Sequence, residues 1–190
     1  MSGLLNRMAP DFALPAMAGG RFSLSDWRGF IVVVNFWSSD CSWSRRADVL
    51  LVYRQLTWYP KGVRIVGVCS NVNEPHGQMI YEAENRHIKY PILQDTELRV
   101  ADLYKAEYTP QAFVVDRQGL VRYAGGVDDA DSTHREARNY YLDKAVTALL
   151  DNRLPDPASA SPYGCPIVRQ ASGEVTGLQA TGANPKQLPS

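Results

Sequence analysis

The run Phe30-Ile31-Val32-Val33-Val34-Asn35-Phe36-Trp37 constrains this chain more than any other stretch. A continuous apolar, β-branched run without alternation reads as a strand buried on both faces, which occurs where helices cover a parallel sheet on each side. The spacing after it predicts a helix from about Ser42 to Trp58, with Val49, Tyr53 and Leu56 recurring at helical spacing and Pro60 and Gly62 ending it. A second buried strand follows, from Val63 to Ser70. Strand, helix and strand in this order imply parallel pairing through a right-handed crossover, and hence an α/β fold. Both strands then end at the same edge of the sheet, where open α/β sheets build their sites. Cys41 and Cys69 both fall at that edge.

The flanking segments fit the same architecture. Phe12, Leu14, Phe22 and Leu24 alternate on either side of a glycine pair and predict a short hairpin within residues 9–30. Pro75 opens a helix expected to run to about His87. A short extended piece (90–93) and a short helix (98–104) come next, then a strand, a turn and a strand over 108–126. A last amphipathic helix is expected over 134–151, with Leu142, Ala145, Val146 and Leu149 on one face. Beyond Asn152 proline, serine, glycine and alanine dominate and apolar periodicity vanishes. Residues 1–151 therefore read as one domain and 152–190 as a mostly irregular tail.

Composition excludes several classes. The 20 basic and 20 acidic side chains balance, so nothing favours nucleic acid or an anionic membrane as a partner. The N-terminus lacks a basic stretch followed by a long apolar core, so no signal peptide and a cytoplasmic location are expected. Three cysteines, Cys41, Cys69 and Cys165, are too few for a disulfide scaffold and suit a reducing compartment. His76, His87 and His134 lack metal-ligand spacing, so no metal and no cofactor are expected. Asp128, Asp129 and Asp131 read as a solvated turn rather than a cation site. Oligomeric state is not legible.

Cys41 is the candidate reactive group. A cysteine at a helix N-terminus meets unpaired backbone N–H groups and the positive end of the helix dipole, which favour thiolate over thiol. Arg45 and Arg46 push the same way if they approach the sulfur, and Asp40 pushes against it. Trp37 and Trp43 flank the position, where they are expected either to wall off water or to offer an apolar docking surface for substrate.

Residues 35–46, Asn-Phe-Trp-Ser-Ser-Asp-Cys-Ser-Trp-Ser-Arg-Arg, resemble the active-site segment of the thioredoxin superfamily, usually written N-F-W-A-x-W-C-x-x-C. The match is best with the redoxin branch, the bacterial thiol–disulfide oxidoreductases and peroxiredoxin-like proteins of the alkyl hydroperoxide reductase and thiol-specific antioxidant type. That branch opens with A-P-D-F-x-L-P, matched by Ala9 to Pro15, and carries Thr-Pro before a strand, matched by Thr109-Pro110. The resemblance covers roughly residues 9–150. It implies a thioredoxin-like fold, a central mixed sheet flanked by helices with an N-terminal hairpin extension. It also implies that Cys41 is the nucleophile and that Pro110 is cis and faces it. The Thr109 backbone would then be free to pair with an extended substrate, and the partners would be protein or small-molecule thiols and disulfides.

The chain departs from the pattern at Ser44, which stands where the second cysteine would be. A serine can hydrogen-bond a thiolate but cannot resolve a mixed disulfide. Three routes of resolution stay open. Cys165 can reach from the tail, because the chain from Asp151 spans up to roughly 45 Å at ~3.3 Å per residue, against a core about 40 Å across. A Gly-Cys pair followed by apolar residues near the C-terminus also resembles a feature of some redoxins sharing the D-C-x-W-S site. Cys69 is the second route, with burial as a structural thiol its plainer role. An external thiol is the third. Two alternatives stand beside disulfide exchange: a peroxidase, for which Ser38 fits the hydroxyl position but Val34 replaces the expected proline, and a redox-inactive binding module that keeps only the groove.

Overall fold

The computed structural model describes residues 3–170. The lead-in forms the hairpin β1 (Ala13–Pro15) and β2 (Arg21–Ser23), with Leu14 opposite Phe22. Then follow β3 (Ile31–Phe36), α1 (Ser42–Trp58), β4 (Val63–Cys69), α2 (His76–Asn85), β5 (Ile92–Gln94) and α3 (Arg99–Tyr104). The second half contains β6 (Tyr108–Thr109), β7 (Gln111–Val115), β8 (Val121–Gly125), α4 (Tyr141–Leu150), β9 (Ser159–Ala160) and β10 (Cys165–Pro166).

The main sheet has the order β5-β4-β3-β7-β8-β9. β3 pairs parallel with β4 and antiparallel with β7, so the sheet is mixed and β3 lies inside it. Alternation along β3 divides the core in two. Ile31, Val33 and Trp37 face α1, α2 and α4 through Ala47, Leu51, Met79, Leu142 and Val146. Val32, Val34 and Phe36 face the hairpin and α3 through Phe12, Phe22, Val100 and Tyr104. Burial on both faces explains the unbroken apolar run.

Two expectations need correction. Helix α1 has the expected ends, but Val49, Tyr53 and Leu56 are 76, 59 and 70% exposed. Its buried side is Ser44, Ala47, Asp48, Leu51 and Trp58. That stripe looks polar in sequence because two of its members hold buried hydrogen bonds. Helix α4 keeps its predicted apolar face but starts at Tyr141, not near 134. The Asp131 carboxylate accepts the backbone N–H groups of Thr133 and His134, and Asp129 accepts those of Arg138 and Asn139. Such local side-chain bonds compete with helix formation. They also depress both acids, Asp129 to about 2 through the backbone and side chain of Asn139, and Asp131 through His134 and Thr133.

The segment after Asn152 is mostly irregular yet tied down. β9 joins the main sheet beside β8, and β10 pairs antiparallel with β6. Ile167 is 6% exposed and packs within the core cluster that holds Phe36 and Tyr104. The irregular tail expected for 171–190 lies outside the described residues.

Candidate active site

Cys41 occupies the N-cap of α1 in extended backbone and is 2% exposed. β3 delivers the chain to this point, and residues 37–40 turn it into the helix. A helix N-terminus presents unpaired backbone N–H groups at its cap, a setting that in general favours thiolate over thiol.

Opposite it lies Cys165. The two cysteines form a disulfide with a Cα–Cα separation of 6.0 Å, within the range such bonds need. The pairing is built by backbone. Cys165 stands opposite Thr109 and Pro166 opposite Tyr108 in the β10–β6 ladder. The Ile167 N–H donates to Glu107 O at 2.9 Å, and the Thr109 hydroxyl donates to Cys165 O at 3.4 Å. Gly164 passes so close to Thr109 that a Cβ there would run into the Thr109 carbonyl. One residue earlier, Tyr163 meets the ring of Trp43 edge-on, centroids 4.9 Å apart.

The Thr109-Pro110 bond is cis, and the Thr109 carbonyl oxygen lies 3.0 Å from Cys41 Sγ. A thiol at Cys41 donates to this oxygen; in the disulfide the two atoms touch with no proton between them. Thr109 is 1% exposed, so the backbone edge expected to receive a substrate is occupied here by the chain's own tail.

Other sequence-predicted residues are placed differently. Trp37 is fully buried, and its Nε1–H donates to Asp48 at 3.0 Å, so it belongs to the core rather than a docking surface. Ser44 Oγ accepts the Ser38 N–H at 3.3 Å, so the hydroxyl expected to meet the Cys41 sulfur braces the turn before it. Arg45 pairs with Glu82 and Arg46 with Asp128. Cys69 is buried outside the disulfide, 3.6 Å from Glu74, and burial followed by the Glu74 charge pushes its thiol far above the usual range.

Two buried polar centres hold the turn, and neither was singled out by sequence. Arg86 is 5% exposed at its side chain and reaches Asp48 at 3.0 Å, Glu82 at 2.8 Å and the carbonyl oxygens of Ser38 and Ser39. Asp48 also accepts the Tyr90 hydroxyl at 3.2 Å. Burial raises the Asp48 pKa, against the lowering effect of Trp37 and Arg86. Glu74 accepts the Ser38 hydroxyl at 2.5 Å, the Ser39 N–H at 2.7 Å and the Ser39 hydroxyl at 2.5 Å. Asp48 falls seven residues after Cys41, two helical turns on, which was a usable signal. Glu74 and Arg86 carry none, because their partners are backbone groups and hydroxyls distant in sequence. Asn35, in β3, is fully buried with neither side-chain polar atom bonded to another described residue.

Comparison with known proteins identifies the lineage. A model described as the AhpC/TSA family matches residues 5–124. The chain belongs to the AhpC/TSA family. A relative is the thiol-disulfide oxidoreductase ResA of Geobacillus kaustophilus, 32% identical over 114 residues, which are 60% of this chain and 64% of ResA. The chain thus spans under two thirds of that relative's length. The crystal structure of a hypothetical protein from Sinorhizobium meliloti 1021 superposes with a TM-score of 0.80 at 27% identity, covering 88% of this AhpC/TSA chain and 95% of the other. The thioredoxin domain of a thiol-disulfide oxidoreductase from Bacteroides vulgatus gives 0.57 at 23% identity, over 62% of this chain and 84% of that one, and shows the thioredoxin-like fold.

Proposed function

We propose that the chain is a thiol–disulfide oxidoreductase in which Cys41 attacks and Cys165 resolves. The observation that carries this reading is the seating of Cys165 against Thr109, which brings its Cα to 6.0 Å from that of Cys41 at a helix N-terminus. The Cys41 thiolate attacks one sulfur of a substrate disulfide, and the other substrate sulfur leaves with the bonding electron pair. The Cys165 thiolate then attacks Cys41 Sγ and expels the remaining substrate thiolate. Two electrons have passed to the substrate, and the released thiolates take protons from solvent. Tethering raises the effective concentration of the second thiol, typically toward mM. Ser44 is not needed for resolution.

An external dithiol completes the cycle. Its first thiolate attacks Cys165, which is half-buried where Cys41 is almost enclosed, and Cys41 departs as the thiolate; the dithiol's second thiolate then closes its own disulfide and expels Cys165, leaving both cysteines reduced. Protein or small-molecule disulfides are the substrate class. Ser38, the hydroxyl a peroxidase reading requires, donates to Glu74, which favours disulfide over peroxide as the acceptor.

Turnover of a small aromatic disulfide with excess dithiol tests the reading. Cys41→Ser abolishes it. Mixed with the aromatic disulfide in the absence of dithiol, Cys165→Ser gives one rapid release of substrate thiol and stops at a mixed disulfide on Cys41, visible by intact mass. Wild-type turnover in Cys41→Ser, or an unchanged steady state in Cys165→Ser, overturns the proposal.

A further inference from the structure

Glu74 binds more than the turn beside Cys41. Its Oε1 also accepts the Asn71 Nδ2–H at 2.5 Å. The opposite end of that amide, Asn71 Oδ1, accepts the Val168 N–H at 2.7 Å. The Val72 N–H donates to Val168 O at 3.1 Å, so both backbone groups of Val168 are held. Val168 lies three residues beyond Cys165 on the same strip of tail. One buried carboxylate is therefore hydrogen-bonded to the segment that carries Cys41 and, through a single amide, to the segment that carries Cys165.

The chemistry of the groups gives this chain of bonds a direction. A carboxylate can only accept, and a backbone N–H can only donate. With Glu74 on one side and Val168 N–H on the other, the Asn71 amide has one orientation, NH2 inward and oxygen outward. Glutamine at position 74 removes that constraint. If its oxygen stays with Ser39, its NH2 faces the Asn71 NH2. If Asn71 flips to answer it, the Asn71 NH2 then faces the Val168 N–H. Either arrangement leaves two donors opposed at a partly buried contact, which is costly.

The geometry points to Glu74 as the positioning residue that sets how readily Cys41 and Cys165 close, acting through Ser38 and Ser39 on one side and through Asn71 on the other. It touches neither substrate nor the disulfide sulfurs. The inference rests on the Cys41–Cys165 cycle proposed above and adds the group that aligns its two halves.

Two measurements test it. The first is equilibration of the Cys41/Cys165 pair with glutathione, which yields the effective concentration of one thiol toward the other. The second is the rate at which reduced Cys41 attacks an aromatic disulfide, measured in a Cys165→Ser background where no closure can occur. Glu74→Gln lowers the effective concentration about tenfold and also changes the attack rate, because it loosens the Cys41 turn. Asn71→Ala lowers the effective concentration by a similar factor and changes the attack rate less than Glu74→Gln does, because it frees the tail while the bonds from Glu74 to Ser38 and Ser39 stay in place. A structural defect alone would not separate the two readouts in this way. Wild-type effective concentrations in both variants overturn the inference. So does a wild-type value in Asn71→Ala alone, which keeps the test decisive if Glu74→Gln fails to fold. If instead turnover of the wild-type protein proves independent of Cys165, the cycle itself fails, an outcome read from Cys165→Ser and not from either of these variants.

Discussion

Thr109 and Cys165 stand directly opposite each other in a two-residue antiparallel ladder, with the Thr109 carbonyl oxygen 3.0 Å from Cys41 Sγ. The residue before the cis proline thus meets the sulfur of one cysteine and the backbone of the other. The tail does not merely reach the active cysteine; it is registered against it by backbone.

Gly164 makes that register possible. Gly164→Ala places a methyl group against the Thr109 carbonyl and forces β10 away from β6. Overpacking costs about 1–3 kcal/mol, so the glutathione equilibrium for Cys41–Cys165 shifts toward the reduced form by roughly 5- to 150-fold. Attack by Cys41 on a small disulfide in the Cys165→Ser background stays at its parent value. Redox titration followed by alkylation and mass measurement gives both numbers.

Regeneration has a preferred sulfur. Because Cys41 is 2% exposed and Cys165 is half-buried, a reducing protein adds to Cys165. A thioredoxin-type reductant whose own resolving cysteine is replaced by serine becomes trapped on the oxidised chain. Peptide mapping finds the adduct on Cys165. An adduct on Cys41 would refute this direction of electron entry.

Cys69 stays silent in the folded protein. Burial and the neighbouring Glu74 charge raise its pKa well above the ordinary value, so iodoacetamide at pH 8 modifies Cys41 and Cys165 of the reduced chain and reaches Cys69 only after unfolding. The linkage has a definite sign. Below the unfolded thiol pKa of ~8.5 both states keep the proton and Cys69 has no effect. Above it the unfolded chain releases the proton and the folded chain retains it, so stability falls as pH rises. Denaturant midpoints of wild type and Cys69→Ala, compared between pH 7 and pH 10, show wild type losing stability relative to the variant as pH rises.

Arg86 is the structural keystone beneath the turn. Arg86→Met leaves Asp48 buried without its cation and frees the carbonyls of Ser38 and Ser39. Breaking a buried pair from one side costs about 3–5 kcal/mol, a fall in Tm on the order of 10 °C for a chain of this size. Replacing Asp48 with Asn together with Arg86→Met recovers part of the loss, because the orphaned charge is gone. Calorimetry on the single and double variants checks the order.

Much of this architecture was legible before any coordinates. The β3 run, the ends of α1, the hairpin that contains Leu14 and Phe22, and the apolar face of α4 all follow from local periodicity and turn chemistry, which residues carry themselves. What escaped depends on pairing across the chain. The inner stripe of α1 contains Ser44 and Asp48, polar residues that become core only because Ser38, Trp37, Arg86 and Tyr90 meet them. The more apolar stripe of Val49, Tyr53 and Leu56 was therefore the better sequence candidate and the wrong one. Reach alone left Cys165 as one of three possible partners for Cys41; the seating of Ile167 and the Thr109 ladder singles it out. Glu74 stayed invisible because a carboxylate before a helix reads as ordinary solvated surface.

The Cys41–Cys165 bond joins positions 124 residues apart, so oxidation turns most of the chain into a covalent ring. A single protease cut anywhere between them leaves two fragments still joined when oxidised and separable when reduced. The ring also limits how far the unfolded chain can expand, which by chain entropy amounts to about 4–5 kcal/mol for a loop of this length. Each catalytic cycle would therefore alternate between a topologically closed polymer and a linear one. Mobility on a denaturing gel run without reductant would report the redox state of the site directly.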